Sequence, residues 1–499
     1  MIENAFGRKI PDGFIPYGIE VHQKSKLPKM KSKHEQKLCD SIQSVFDSIP
    51  IKDGMTLSFH HHLRNGDAVL NMVVNEIKKR GLKNMSLAPS AIFPIHEPLV
   101  SLIENGQINH IYTNYINSPV ADVIQQGHLK GLLFMDTHGG RPRAIETGEL
   151  KIDVSFIAVP ACDIHGNGNG VEGPSACGTL GYAISDLYYA KHRVVVTDYI
   201  SEKLIKIDID GDYVDYVVKV NQIGDPKGIV SGTTKPTKDP IQLKIARDTA
   251  RLIEELKMIK PGMSFQTGAG GTSLAVALDV KHQMIKQNIK GSFASGGITN
   301  FLVDMHLNGL FERLYDVQCF DLEAVESYKK NPNHLSMSAS EYGNPNEKNP
   351  IVNQLDIVIL GATEIDTSFN VNVTTDSNGK IIGGSGGHSD TAYGAKLTII
   401  TTNLTKSRTS IIKEHVTTIT TPGSSIDCLV TERGIAINPR RTDLLSLLKD
   451  SKLNIVPIHT LLDIAYKMTG IPKQIEKSSQ VIGVVRYRDG SIIDSLYKR

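Results

Sequence analysis

The sequence predicts an α/β protein made of two tandem, similar α/β domains with mostly parallel sheets, and three pairs of matching segments predict it. Ile51-Lys52-Asp53-Gly54-Met55-Thr56 returns 208 residues later as Ile259-Lys260-Pro261-Gly262-Met263-Ser264. Asp153-Val154-Ser155-Phe156-Ile157-Ala158 returns 203 residues later as Asp356-Ile357-Val358-Ile359-Leu360-Gly361. The stretch from Ala190 to Asp198 returns 205 residues later from Ala395 to Asn403. Blocks in the same order at nearly constant spacing mean that one strand-loop-helix plan is used twice.

Taken in order, residues 1–38 read as an N-terminal extension, in which Lys24 to Lys37 is a short basic stretch suited to a solvated face or linker. Residues 39–230 form the first domain: Met55 opens a strand, LSFHHHLRNGD is its loop, and a helical pattern runs through Val73-Val74-Asn75-Glu76-Ile77. The seam falls in residues 220–242, rich in Gly, Pro, Thr and Lys. The second domain, residues 231–499, begins with a periodic helix from Leu243 to Met258. Its strand Ile357-Val358-Ile359-Leu360 is apolar on both faces, as a strand covered by helices on both sides should be. Gly361 and Ala362 end it, so Glu364 should emerge at the C-terminal edge, where ligands collect in open α/β sheets.

Composition narrows the function. At 499 residues the chain should hold two to four domains, on a prior of roughly 100–200 residues each. The net charge of +2, with no long basic tract interleaved with aromatics, argues against nucleic acid. Cys39, Cys162, Cys177, Cys319 and Cys428 are widely spaced and form no CxxC pair, which is reduced, cytosolic usage. No apolar signal core and no run of about 18 apolar residues are found, so a soluble, cytoplasmic protein is expected.

Several motifs carry chemistry. Aligning Asp153 with Asp356 sets Ala161 opposite Glu364, so one copy alone has the carboxylate, which favours a catalytic role in a cleft between the domains. Gly383-Gly384-Ser385-Gly386-Gly387-His388-Ser389-Asp390 lets backbone N–H groups approach a ligand, so Gly386, Gly387 and His388 are candidates for binding an acyl oxyanion. Thr267-Gly268-Ala269-Gly270-Gly271-Thr272-Ser273 follows a strand and opens a helix, as a phosphate-cradling turn does. It lacks the spacing of GxGxxG and the GK[ST] of a P-loop, yet fits a pyrophosphate-containing thiol, with Gly268, Ala269, Gly270 and Gly271 as its cradle. His60-His61-His62 lacks metal-ligand spacing, and no metal is expected there. Arg64 in the same loop is a carboxylate donor, and Asn65 and Gly66 beside it are candidates for holding the acyl oxyanion from the side opposite Gly386 and Gly387. Cys162 to Gly170, rich in Gly and Asn, reads as a chain of turns rather than a thiol nucleophile. Arg433, with Arg440 and Arg441, either clamps carboxylates or solvates a surface.

In SFHHHLRNGD, PACDIHGNGNG, GATEID with its downstream NVNV, GGSGGHSDTAYGAK and VTERGIAINPRR, the chain resembles the coenzyme A-transferases. Within them it resembles the citrate CoA-transferase subunits of ATP-independent bacterial citrate lyase, over essentially its whole length. The resemblance implies exchange of acetyl for citryl on a thioester carried by an acyl carrier protein, whose arm is a phosphoribosyl-dephospho-coenzyme A. No tightly bound cofactor is implied. The implied partners are that carrier (a γ subunit), a β subunit that cleaves the citryl thioester to oxaloacetate, citrate itself, and further copies of this chain. In many CoA-transferases a glutamate at the position resembled by Glu364 attacks the thioester; in the citrate lyase type, citrate is expected to attack directly. A transferase using free acyl-CoA and another carboxylate such as citramalate is the alternative.

Overall fold

The computed structural model describes residues 1–230, 236–268, 270–473 and 476–499. Two large sheets organise them. In the first, seven parallel strands lie in the order Leu133–Met135, Ile108–Thr113, Met85–Pro89, Thr56–Phe59, Val154–Ala158, His192–Thr197, Tyr216–Lys219. In the second, the order is His334–Ser336, Phe311–Cys319, Gly291–Ile298, Ser264–Thr267, Ile357–Leu360, Leu397–Thr401, Cys428–Thr431, again parallel. The two orders correspond strand for strand, so the tandem α/β plan read from the three repeated blocks is present.

The repeated aspartates show why these blocks resemble one another. A strand that starts at a sheet's N-terminal edge has an amide with no ladder partner, and a buried amide must find one. Asp153 Oδ2 accepts the N–H of Thr56 at 2.9 Å, and Asp356 Oδ2 accepts that of Ser264 at 2.9 Å. One strand further on, Asp215 Oδ2 accepts the N–H of Arg193 and Asp427 Oδ2 that of Thr398, both at 2.8 Å. The strands between are wholly buried, as in Val154–Ala158 and Ile357–Leu360. Outside the second sheet, the helix Pro240–Glu255 starts with Asp239 accepting from the amides of Ile241 and Gln242.

The chain ends elsewhere than its sequence suggests. The hairpin Val481–Arg486 with Ile492–Tyr497 follows the second domain in sequence but extends the first sheet, running parallel to Leu133–Met135. Its register is held by Arg486, which meets both oxygens of Asp136 at 2.6 and 2.7 Å. A three-residue strand would otherwise be an open edge. The N-terminal segment is tied to the same hairpin through Asn4, whose amide donates to the carbonyls of Ile492 and Ile493. At the opposite edge Leu38–Cys39 pairs with Tyr216–Lys219. No helix among the described residues is long and apolar enough to cross a membrane.

Candidate functional site

The domains meet where loops leave the C-terminal ends of both sheets, and the glycine-rich loop Gly383–Asp390 is the joint. His138 of the first domain donates its backbone N–H to Gly386 O at 2.8 Å, and Gly386 donates to Asn114 O at 3.3 Å. Glycine is required here for identifiable reasons. Gly386 is left-handed, with φ +51°. A Cβ on Gly384 would stand 2.2 Å from Asn114 O, and one on Gly387 would stand 2.5 Å from the Tyr342 hydroxyl. Gly386 and Gly387 thus lie in the packed joint between the domains.

His388 does not offer itself to a ligand. Its Nδ1 lies 2.8 Å from Thr421 Oγ1 and its Nε2 3.0 Å from Gly361 O, so both ring nitrogens are engaged. Burial pushes its pKa down to about 4. The residue expected to bind an acyl oxygen instead pins the glycine loop to the end of the strand Ile357–Leu360.

Glu364 is also corrected. It begins a separate short strand, Glu364–Asp366, between Val371–Asn372 and Ile412–Lys413, and is completely buried. Lys413 Nζ and Thr417 Oγ1 reach Oε1 at 3.1 and 3.0 Å, while Asn372 Nδ2 and the Thr417 N–H reach Oε2 at 2.9 and 2.8 Å. Burial alone would raise its pKa. The Lys413 charge and the donors of Asn372, Ser377 and Thr417 outweigh that and hold it below the usual carboxylate range. The group is ionised and saturated with donors, rather than emerging into the cleft. Its partner Asn372 also accepts the amides of Thr374 and Thr375, so Glu364 fixes the wall behind the glycine loop.

In the facing loop, Arg64 has φ +51°, an uncommon conformation for a non-glycine residue. Its guanidinium lies over Phe320 at 4.7 Å and Phe93 at 5.6 Å, and its buried Nη1 has no partner among the described residues. A cation held between two rings with an unused donor suits a carboxylate ligand. Its neighbours are spent on structure. Asn65 is exposed and its Oδ1 accepts the Ile95 N–H. Gly66 gives its N–H to Leu63 O and packs where a Cβ would stand 2.0 Å from Asp225 O. Neither forms an oxyanion hole opposite Gly387.

The other predicted turn lies at the same sheet edge. Gly268 donates to Ile359 O, and exposed Gly270 caps the 16-residue helix Gly271–Lys286 without any side-chain cap. Ala269 lies outside the described residues. The turn is linked to the glycine loop through Gln266, whose amide donates at 2.7 Å to the Tyr342 hydroxyl beside Gly387. Arg433 sits on the exposed turn after Cys428–Thr431, its N–H bonded to Thr431 Oγ1.

The three consecutive histidines have different partners, although the rings of His60 and His62 stack at 5.8 Å. His60 Nε2 bonds Asp186 at 3.0 Å, His61 Nδ1 bonds Ser90, and His62 is buried with both ring nitrogens unpartnered among the described residues. Elsewhere Asp316, Cys319 and His334 bring one ligand atom each within 4.8 Å of one another, joined by hydrogen bonds of 3.0 Å to Asp316 Oδ2. Sequence reasoning missed His61, His138, Tyr182 and Tyr342 as residues packed together at the joint beside the glycine loop. The only signal was the histidine run, which is more naturally weighed as a metal motif.

Comparison with known proteins agrees over the whole fold. Residues 35–499 match the family model "Citrate lyase, alpha subunit (CitF)". The citrate lyase alpha chain of Haemophilus influenzae is 45% identical over 465 residues, covering 93% of each chain. That of Klebsiella pneumoniae is 42% identical over 486 residues, covering 97% of this chain and 96% of the relative. The crystal structure described as the alpha subunit of citrate lyase from Streptococcus mutans in complex with citrate superposes with a TM-score of 0.95, at 42% identity and 99% coverage of both chains. With its doubled parallel sheet and glycine-loop cleft, the chain belongs to the citrate lyase alpha-subunit family.

Proposed function

We propose that this chain is the citrate CoA-transferase of a citrate lyase complex, exchanging acetyl for citryl on the thioester of an acyl carrier protein. A carboxylate oxygen of citrate adds to the acetyl carbonyl, the C–S bond breaks, and a mixed anhydride and the carrier thiolate form. The thiolate then adds to the citryl carbonyl of the anhydride, releasing acetate and leaving citryl thioester for a β subunit to cleave to oxaloacetate. Electrons and atoms balance without an oxidant or a metal.

The observation that carries this reading is the cleft itself. It sets Arg64, whose buried Nη1 has no partner among the described residues, beside a loop whose glycines let the two domains close tightly on one another. Citrate in complex with the Streptococcus mutans relative supports a tricarboxylate as the ligand. The saturated, buried Glu364 supports direct attack by citrate, with Glu364 as a positioning residue. Gly268 to Gly271 are proposed to receive the pyrophosphate of the carrier's coenzyme A-like arm, Gly386 and Gly387 to border the reacting carbonyl, and Arg433 to meet carrier or substrate carboxylates at the same edge. The carrier and the β subunit are proposed partners, with further copies of this chain in the complex.

The test is purified chain with acetylated carrier protein and citrate, following acetate. Stoichiometric acetate and citryl carrier are expected. Activity with free acetyl-CoA and citramalate, but none with carrier and citrate, would replace the reading with a free-CoA transferase.

A further inference from the structure

The loop after the strand Thr56–Phe59 holds an imidazole whose proton position is set by one hydroxyl. Ser90 Oγ receives the backbone N–H of His61 at 3.0 Å and lies 2.5 Å from Nδ1 of the same residue. A serine oxygen has one hydrogen to give and two lone pairs to receive. Ser90 is wholly buried, and its hydroxyl has no other acceptor among the described residues. Receiving from Nδ1 as well would leave that O–H unpaired, at a cost of about 1–3 kcal/mol. The other ring nitrogen, Nε2, is not among the fully buried atoms left without a partner, so a hydrogen there can meet solvent or a ligand; Ser90 therefore donates to Nδ1, and the ring hydrogen is on Nε2.

Nε2 has no partner among the described residues, and the ring is fixed in place. It packs against Tyr182 at 4.3 Å, His138 at 5.8 Å and Phe93 at 6.3 Å. Tyr182 also touches His138, whose backbone holds Gly386 of the glycine loop. Phe93 is one of the two rings under Arg64. Burial, reinforced by His138, His62, Arg64 and Arg141, holds the imidazole well below its ordinary pKa, so it is neutral at physiological pH.

We infer that His61 is a catalytic residue of the proposed exchange, donating Nε2–H to the carbonyl oxygen that becomes negative as the carboxylate adds to the thioester, with Ser90 as the positioning residue that fixes this tautomer. The assignment rests on the proposed function. No proton is transferred: the hydrogen bond strengthens as charge develops on the oxygen and relaxes when the C–S bond breaks. A neutral donor, unlike a cation, does not bind the attacking carboxylate so strongly in the ground state that the gain is lost.

The test uses the full chain with acetylated carrier and citrate. His61→Phe keeps a ring against Tyr182 and removes the donor; kcat should fall by roughly a hundredfold or more, with citrate KM changed less than about threefold and the melting temperature retained. His61→Gln restores an N–H and should recover at least about tenfold of that loss. In ¹⁵N-labelled wild type, His61 should show protonated Nε2 and bare Nδ1 from pH 6 to 8, and Ser90→Ala should mix the tautomers and lower kcat. A folded His61→Phe enzyme within about threefold of wild type, or a proton found on Nδ1, overturns the assignment alone. Wild type inert toward acetylated carrier overturns the proposed function, and the assignment with it.

Discussion

Asp390 of the second domain reaches across the domain boundary to Thr137 of the first, whose hydroxyl it accepts at 2.9 Å. Its other oxygen accepts the Gly139 N–H at 2.9 Å, and Arg488 of the C-terminal hairpin stands 3.4 Å away. Three segments distant in sequence are thus held by one fully buried carboxylate. Asp390→Ala leaves a buried guanidinium and an amide without their acceptor, which costs about 3–5 kcal/mol. Urea denaturation should show that loss, and Asp390→Asn, which still accepts, should lose less.

Glu364 and Lys413 test the mechanism and the stability together. Because Glu364 has a depressed pKa when folded, its contribution is fully present above the unfolded value of about 4.3 and is lost as pH falls through the folded value. Glu364→Gln should therefore be less stable than wild type at pH 7, and the gap should close on acidification below about pH 4. Trapping with hydroxylamine or borohydride during turnover should mark no residue at 364, as expected for direct attack by citrate. A mark there, with ping-pong kinetics, would reinstate the glutamate as nucleophile.

Arg64 should govern substrate binding. Arg64→Ala removes the cation held between Phe93 and Phe320 and should raise citrate KM by roughly ten- to a hundredfold, a loss of about 1.5–3 kcal/mol for a charged hydrogen bond. Arg64→Lys should restore little, since a point charge replaces a stacked planar fork. Steady-state kinetics at fixed ionic strength would read both.

What the sequence displayed and what it concealed divide along the range of the interactions involved. The doubled sheet was legible because each copy repeats an aspartate before an apolar strand, and that aspartate bonds the amide of a neighbouring strand's first residue. The hairpin's return to the first sheet was not legible, since Arg486 and its partner Asp136 are 350 residues apart. Glu364 was misread for the same reason. A carboxylate after two small residues reads as a strand-end acid at a cleft, and what buries it comes from two flanking short strands, which supply Asn372 and Lys413, and from Thr417, 53 residues on. The tautomer of His61 depends on Ser90, 29 residues on, and nothing local announces it.

Gly387 and Tyr342 give the sharpest steric test of the cleft. The side-chain hydroxyl of Tyr342 would meet a Cβ on Gly387 at 2.5 Å, closer than real contacts allow, and that hydroxyl accepts the Gln266 amide at 2.7 Å. Gly387→Ala should therefore push the ring aside, break the link to the strand Ser264–Thr267, and cost about 1–3 kcal/mol of stability as overpacking does. Tyr342→Phe alone removes the acceptor and leaves the Gln266 amide unsatisfied. In the double variant the hydroxyl that clashed is already gone, so the combined loss should be smaller than the sum by about 1 kcal/mol or more. Strict additivity in a double-mutant cycle would mean that Gly387 is glycine for its backbone rather than for the space Tyr342 leaves.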